Sequence, residues 1–335
     1  MESIVGRHLV NSEYFPRTSP PPLILPVRVF SGCHNNPVQG ISVCADEQSF
    51  LSADDLEVFW WNFESSATSK GSRIADLKPI SGCMEDVSEL ITTAKFHPTH
   101  NSLFLLGRSS GLTAVGDLRE SATGARRRYS MCMQVRPSTV CGPVLEEYGD
   151  ILSSVSDADF VGSSHVVTRD YLSLQLWDTR QTSEPCAVAP LMPYLVPRLE
   201  ALYDMDKIFD RFPVAVDHIS GTVVTGLYDG AAAVWQPLQG GQCNTKDALT
   251  FYRPDPQLLL CEVENGSQVT YELLEASFAQ RWEASTLSRV SRTGYPQALT
   301  PEPVDNKVMS VSISEGGRRF AMSLKDGRSV FLFER

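Results

Sequence analysis

A hairpin that returns about every sixty residues is the feature that most limits what this chain can fold into. It is fullest in Ser153 to Asp178, SSVSDADFVGSSHVVTRDYLSLQLWD. There Val155, Ala158 and Phe160 alternate with polar residues, Gly162-Ser163-Ser164 makes a turn, and Val166 and Val167 begin a second run. Asp170-Tyr171 turns the chain again into Leu172, Leu174 and Leu176, alternating with Ser173 and Gln175, and the run ends at Trp177-Asp178. Period-two alternation broken by short turns predicts three antiparallel strands. A third strand ending in Trp-Asp is the mark of a WD-type propeller blade.

The last two strands recur as Phe50 to Asn62, Leu103 to Asp117, Val223 to Gln236 and Phe320 to Glu334, with turns at Asp54-Asp55, Ser110-Gly111, Asp229-Gly230 and Asp326-Gly327. Asp-Gly between apolar runs is a strong hairpin signal because both positions must tolerate positive φ. From Asp54 through Ser110 and Asp170 to Asp229 the spacings are 56, 60 and 59 residues, longer than a bare WD repeat and so leaving room for loops and outer strands. Since one blade cannot bury both of its faces, the expectation is an all-β, WD40-type β-propeller with five blades recognisable. A sixth is suggested around Asn265-Gly266.

Of the 335 residues 42% are hydrophobic and 21% charged, an ordinary globular balance with ample material for a core. A formal charge of −11 argues against a general nucleic-acid backbone binder and leaves room for basic partners. The eight cysteines form no close pair of metal-ligand type in sequence and read as scattered small apolar residues of a reducing compartment. No stretch has the length of a signal or a membrane span, so no membrane association is expected and the cytoplasm, or the nucleus, is the expected location.

In chain order, residues 1–26 form an extended lead-in rich in proline (Pro16, Pro20, Pro21, Pro22, Pro26), and 27–335 form the propeller, with 237–303 as a divergent insert. Within that insert 257–274 reads as strand-like and 273–287 as helix-like. Asp76 to Ile91 interrupts the strand pattern. There Met84, Val87, Leu90 and Ile91 are spaced for one face of a short helix, with Glu85 and Asp86 in its first turn. Leu195, Leu199, Leu202 and Ile208 predict a second short helix between blades. His97 and His100 have metal-compatible spacing but no partner nearby, and read as a turn. His165, beside valines, reads as a packed or hydrogen-bonded residue. Arg126-Arg127-Arg128 reads as a solvated loop. No phosphate loop, nucleophile elbow or paired-histidine motif appears, so neither catalytic residues nor a metal or other cofactor are expected.

Several segments occur together and in order: FLSADDL (50–56), DLKP (76–79), MEDVSELITTAKFHP (84–98), SSVSDADF (153–160), TRDYLSLQLWD (168–178), LYDMDKIFDRF (202–212) and VVTG (223–226). This series resembles the B-type, 55-kilodalton-class regulatory subunits of protein phosphatase 2A. The resemblance is clear from about Val27 to Trp235 and weaker from Lys307 to Phe333. It implies a seven-bladed, non-catalytic propeller that docks on the scaffold (A) subunit and presents phosphoproteins with basic segments to the catalytic (C) subunit. It also implies a substrate groove at Asp55, Glu85, Asp86, Val87 and Leu90, with Val87 and Leu90 exchanging the sizes the family usually has there. The family carries two further blades before the segment matching Val27, so this chain is expected to lack them.

Physical reading of the same region points the same way. Asp54, Asp55, Glu57, Glu85, Asp86 and Glu89 would form one negative patch if the turn and the helix are neighbours, steering basic segments, with the apolar pair as anchor. The competing reading is a WD-repeat scaffold of another system, such as a substrate receptor of a cullin ubiquitin ligase. Trp177-Asp178-Thr179-Arg180 fits the WDxR box of such receptors.

Overall fold

The computed structural model describes residues 28–64, 71–120, 129–137, 146–228, 230–239, 242–243, 249–252, 282–283, 307–325 and 330–334. The proline-rich lead-in, the arginine run, the Asp326-Gly327 turn and most of the insert, including its strand-like and helix-like stretches, lie outside these residues.

Each recurring hairpin is the centre of an antiparallel sheet. Blade 1 is β1 (Gly40–Val43), β2 (Ser49–Ala53), β3 (Glu57–Asn62) and β4 (Ser72–Asp76); blade 2 is β5 (Ile91–Phe96), β6 (Leu103–Arg108), β7 (Leu112–Asp117) and β8 (Tyr129–Gln134). Blade 3 is β9 (Asp157–Val161), β10 (His165–Arg169), β11 (Ser173–Asp178) and β12 (Ala187–Pro190). Blade 4 takes β13 (Val214–Asp217), β14 (Thr222–Gly226) and β15 (Ala232–Trp235); after a small hairpin, β16 (Leu238–Gln239) and β17 (Gln242–Cys243), it adds β18 (Leu249–Tyr252) and β19 (Trp282–Glu283). Blade 5 is β20 (Val308–Ile313), β21 (Arg319–Leu324) and β22 (Val330–Glu334). The fold is all-β and of WD-propeller type, with strands in sequence order across each blade. Pro190 pairs with Ser173 on the outermost strand of blade 3, where a missing N–H costs no ladder bond.

The second strands of blades 2, 3 and 4 are buried on both faces, and the alternation divides each between two neighbours. On β6, Phe104 and Leu106 pack with Leu51, Val58 and Ala75 of blade 1, while Leu105 packs with Phe160, Val166 and Trp177 of blade 3. On β10, Val166 faces blade 2 and Val167 joins Val214, Val216, Val223 and Trp235 of blade 4. On β14, Val223 faces blade 3 and Val224 faces Val308, Phe320 and Met322 of blade 5. Burying each such side chain contributes roughly 1.5–3 kcal/mol, so the interfaces between blades constitute the core.

The face of blade 1 turned away from blade 2 is covered by the segment just before β1. Phe30 sits edge-on to Phe50 and Trp61, with ring centroids 5.0 and 5.6 Å away. His34 bridges the β2–β3 turn beneath it, Nδ1 lying 2.7 Å from Asp54 Oδ2 and Nε2 2.6 Å from Ser52 Oγ, which also accepts the Trp61 indole N–H at 2.7 Å.

Polar ties run between the innermost strands. Lys95 of β5 reaches Asp157 and Asp159 of β9, each at 3.1 Å. Asp157 also accepts the Val214 N–H of β13 at 2.8 Å. Ser42 Oγ of β1 accepts the Phe96 N–H at 2.9 Å.

The turns show two devices. Gly111 and Gly230 take positive φ, 83° and 64°. The Asp54 and Asp170 turns contain no positive φ; each aspartate instead accepts, with Oδ1, the amides two and three residues further on. For Asp54 these are Leu56 at 2.8 Å and Glu57 at 2.7 Å, and for Asp170 they are Leu172 at 2.8 Å and Ser173 at 2.6 Å. An aspartate thereby stands in for the turn's backbone acceptor.

Candidate functional site

In this arrangement the β2–β3, β6–β7 and β10–β11 turns share a face with the connectors that lead from one blade to the next. The connector between blades 1 and 2 does not form the amphipathic helix its spacing predicts. Met84–Asp86 makes a single 3-10 turn, Val87 is already extended, and β5 begins at Ile91. Only four residues separate the turn from a strand whose first N–H is bonded to the Asp55 carbonyl at 2.8 Å, too short a span for a further helical turn. The shared helical face of Met84, Val87, Leu90 and Ile91 is therefore replaced by an exposed Met84 and half-buried Val87 and Leu90 leading into a buried Ile91.

The predicted acidic patch is also smaller than its residue count. Asp54 is fully buried. Burial alone would raise its pKa, but the His34 hydrogen bond and the Leu56 and Glu57 amides outweigh that and hold it below the ordinary carboxylate value. Glu57 is buried and bonded to Arg73 at 3.1 Å and Lys78 at 2.5 Å. Glu89 pairs with Arg108 at 2.7 Å and accepts the Ser110 hydroxyl at 2.6 Å. What remains open is a half-buried Asp55 and an exposed Glu85 and Asp86, the last accepting from Ser81 at 2.5 Å. Exposed Ile80 and Met84 lie beside them.

Leu90 joins the connector to the next blade, its N–H bonded to Ser109 Oγ at 2.8 Å and its carbonyl to the Ser109 N–H at 2.9 Å. It also lines a groove of about 340 Å³ with Ser109, Asp150, Ile151, Tyr171, Phe209, Asp210 and Arg211. Asp55, Glu85, Asp86 and Val87 do not line it, so the structure sets the acidic turns beside the groove and Leu90 within it. Sequence reasoning missed Asp150 and the half-exposed Phe209. The available signal was LYDMDKIFDRF, where aromatic and apolar residues stand in a connector beyond what a short helix buries. That helix itself forms as predicted: a 3-10 turn at Pro193–Arg198 runs into α1 (Leu199–Asp204), and Leu195, Leu199, Leu202 and Ile208 are buried.

Beneath the groove the Asp170 turn is held from below. Arg169, fully buried, donates to the carbonyls of Asp170, Tyr171 and Ser173 at 2.6, 3.2 and 3.2 Å and lies 5.0 Å above the Phe212 ring. The Tyr171 and Tyr228 hydroxyls meet at 3.0 Å, and Tyr228 donates to Asp210 at 2.8 Å. Where the first strands converge, a second cavity of about 450 Å³ is lined by Ile41, Lys95, Asp157, Arg211, Lys307 and Met309, among others.

Other candidates resolve locally. His97 Nδ1 accepts the amides of Thr99 and His100, both at 3.1 Å, so that pair makes a turn. Arg180 lies on its own Asp178 at 2.6 Å, and Arg119 lies on Asp117 in the same way at 2.6 Å where no Trp-Asp occurs. In both blades Asp-x-Arg closes a turn. The cysteines are not all scattered: folding brings Cys186 and Cys243 to 2.8 Å, with His165 beside them. Among the described residues no helix is long and apolar enough to cross a membrane.

No protein-family model matches the chain. Over 205 residues, 61% of the chain, it is 33% identical to a Drosophila melanogaster protein named protein phosphatase PP2A 55 kDa regulatory subunit, covering 39% of that protein. Over 204 residues it is 33% identical to the Dictyostelium discoideum serine/threonine-protein phosphatase 2A regulatory subunit phr2AB, covering 40% of it. The chain thus spans about two-fifths of the length of these curated relatives. The resemblance carried by the ordered motifs holds across that stretch.

Proposed function

We propose that this chain, a relative of the 55 kDa regulatory subunits of protein phosphatase 2A, is a non-catalytic regulator that recruits phosphoproteins to such a phosphatase in the cytoplasm or nucleus. Its partners on this reading are the scaffold and catalytic subunits, with the chemistry residing in the latter. The observation that carries the reading is the 33% identity to two named regulatory subunits over some 205 residues.

The turn-bearing face supports a more specific version. Asp55, Glu85 and Asp86 would attract basic segments flanking a phosphosite, mainly through encounter rate and register. Leu90, half-buried in the groove, and the half-buried Val87 of the same connector would supply apolar anchorage.

Affinity purification of the full chain from its own cells, with mass spectrometry of what accompanies it, tests the reading. Phosphatase scaffold and catalytic subunits are expected. Recovery of a ubiquitin-ligase adaptor in their place would overturn it in favour of the competing reading. For the acidic face, Glu85→Lys with Asp86→Lys changes two exposed side chains. It should reduce phosphoprotein recovery at least tenfold while leaving scaffold recovery unchanged. Asp55→Lys should act the same way. Unchanged phosphoprotein recovery in the exposed pair would remove the acidic face from the mechanism.

A further inference from the structure

His165, Cys186 and Cys243 come from three separate places in the chain and meet on the face opposite the groove. His165 opens β10, buried where that strand leaves its polar turn. Cys186 immediately precedes β12, its N–H bonded to the Leu176 carbonyl at 2.8 Å. Cys243 belongs to the β16–β17 hairpin of blade 4, opposite Leu238. The two sulfurs are 2.8 Å apart, His165 Nε2 is 4.0 Å from Cys243 Sγ, and all three donor atoms lie within 4.8 Å of one another.

We propose that these three residues form a binding site for a thiophilic closed-shell metal ion, Zn2+ in the first instance. Two sulfurs and one imidazole nitrogen are the donor set such an ion prefers, with a fourth position open to water. The imidazole is presented as a ligand should be. Its Nδ1 lies 3.3 Å from Ser164 Oγ, which fixes the ring and leaves Nε2 facing the sulfurs. Binding one Zn2+ forms two Zn–S bonds and one Zn–N bond, with the thiol protons released to solvent as the sulfurs bind as thiolates.

The geometry asks for one adjustment. Zn–S bonds of about 2.3 Å in a tetrahedron place sulfurs about 3.8 Å apart, so the pair must open by about 1 Å. Cys243 lies in a hairpin whose strands are two residues each, the element best able to shift. Arg180, a cation that interacts with Cys243, is engaged by Asp178 at 2.6 Å, which limits its repulsion of the ion. Metal binding would join blade 3 to the blade 4 hairpin.

The experiment uses the reduced full chain, desalted under argon. Zn2+ content by elemental analysis should reach one equivalent, and Co2+ alone should give thiolate charge-transfer absorption with the intense visible bands of a tetrahedral site. Cys186→Ser and Cys243→Ser should each lose that equivalent and those bands, while Cys83→Ser with Cys132→Ser, both exposed, should keep them. Should either test variant fail to fold, peptide mapping of the unaltered chain decides: Zn2+ should slow alkylation of Cys186 and Cys243 at least tenfold over Cys83. Equal metal content in all variants, no protection, or recovery of Cys186 and Cys243 as a disulfide that Zn2+ does not prevent would each overturn the proposal.

Discussion

Lys95→Met is the substitution with the most to say about how the blades hold together. The ammonium lies 3.1 Å from both Asp157 and Asp159, carried by the next blade. Burial would lower its pKa, but the two carboxylates more than reverse that, so it is charged at neutral pH. At an effective dielectric constant near 20 each contact has a gross attraction of about 5 kcal/mol, most of it offset by desolvation of three charges. Removing one member of a buried pair typically costs about 3–5 kcal/mol because the remaining charges are stranded. Lys95 retains 24% side-chain exposure, so water screens part of this, and about 2–4 kcal/mol is the expected loss. In a chain of this size that lowers Tm by about 3–6 °C. The assay is chemical denaturation followed by tryptophan fluorescence, on Lys95→Met, Asp159→Asn and the double variant. Asp159→Asn should restore part of the loss in the Lys95→Met background while being destabilising alone. A loss below about 0.5 kcal/mol, or strict additivity, would refute the idea that charge couples these blades.

Three further outcomes are expected. Gly226→Ala should destabilise by about 1–3 kcal/mol, since the added Cβ would stand 2.5 Å from Val308 Cβ across the blade 4–blade 5 interface, and a denaturation curve checks it. Asp54, whose folded pKa lies below the ordinary aspartate value of 3.8, contributes stability that is present above 3.8 and lost as pH falls through the lower folded value; Asp54→Asn should flatten the pH dependence of unfolding in that acid window. Reversing charge at Glu85 and Asp86 should reduce phosphoprotein recovery at least tenfold without changing the far-ultraviolet circular dichroism spectrum, because both side chains are exposed.

What the sequence displays depends on how local each decision is. The hairpins of blade 3 are readable because alternation and turn chemistry sit within some twenty residues, and β9, β10 and β11 fall where the pattern places them. The 84–91 segment misleads because its apolar spacing suits a helix, whereas its end is captured by the Asp55 carbonyl, a contact 36 residues away in sequence. Counting carboxylates overstates the acidic face for the same reason. Whether Asp54, Glu57 and Glu89 are free depends on His34, Arg73, Lys78 and Arg108, and only the folded sheet brings those together. The approach of Cys186 to Cys243 spans 57 residues and joins two blades, so no spacing rule could show it. Phe30 and His34 precede the first strand in a stretch without periodicity, and their role emerges only from the aromatic face they cover.

Asp157 receives Lys95 from the blade before it and the Val214 amide from the blade after it. Proteins assembled from repeats behave approximately as rows of units, each with its own stability and a coupling to its neighbours. A carboxylate shared by three successive units adds to that coupling on both sides at once. Its loss would let the row come apart from the middle, and unfolding would broaden from a single transition into steps.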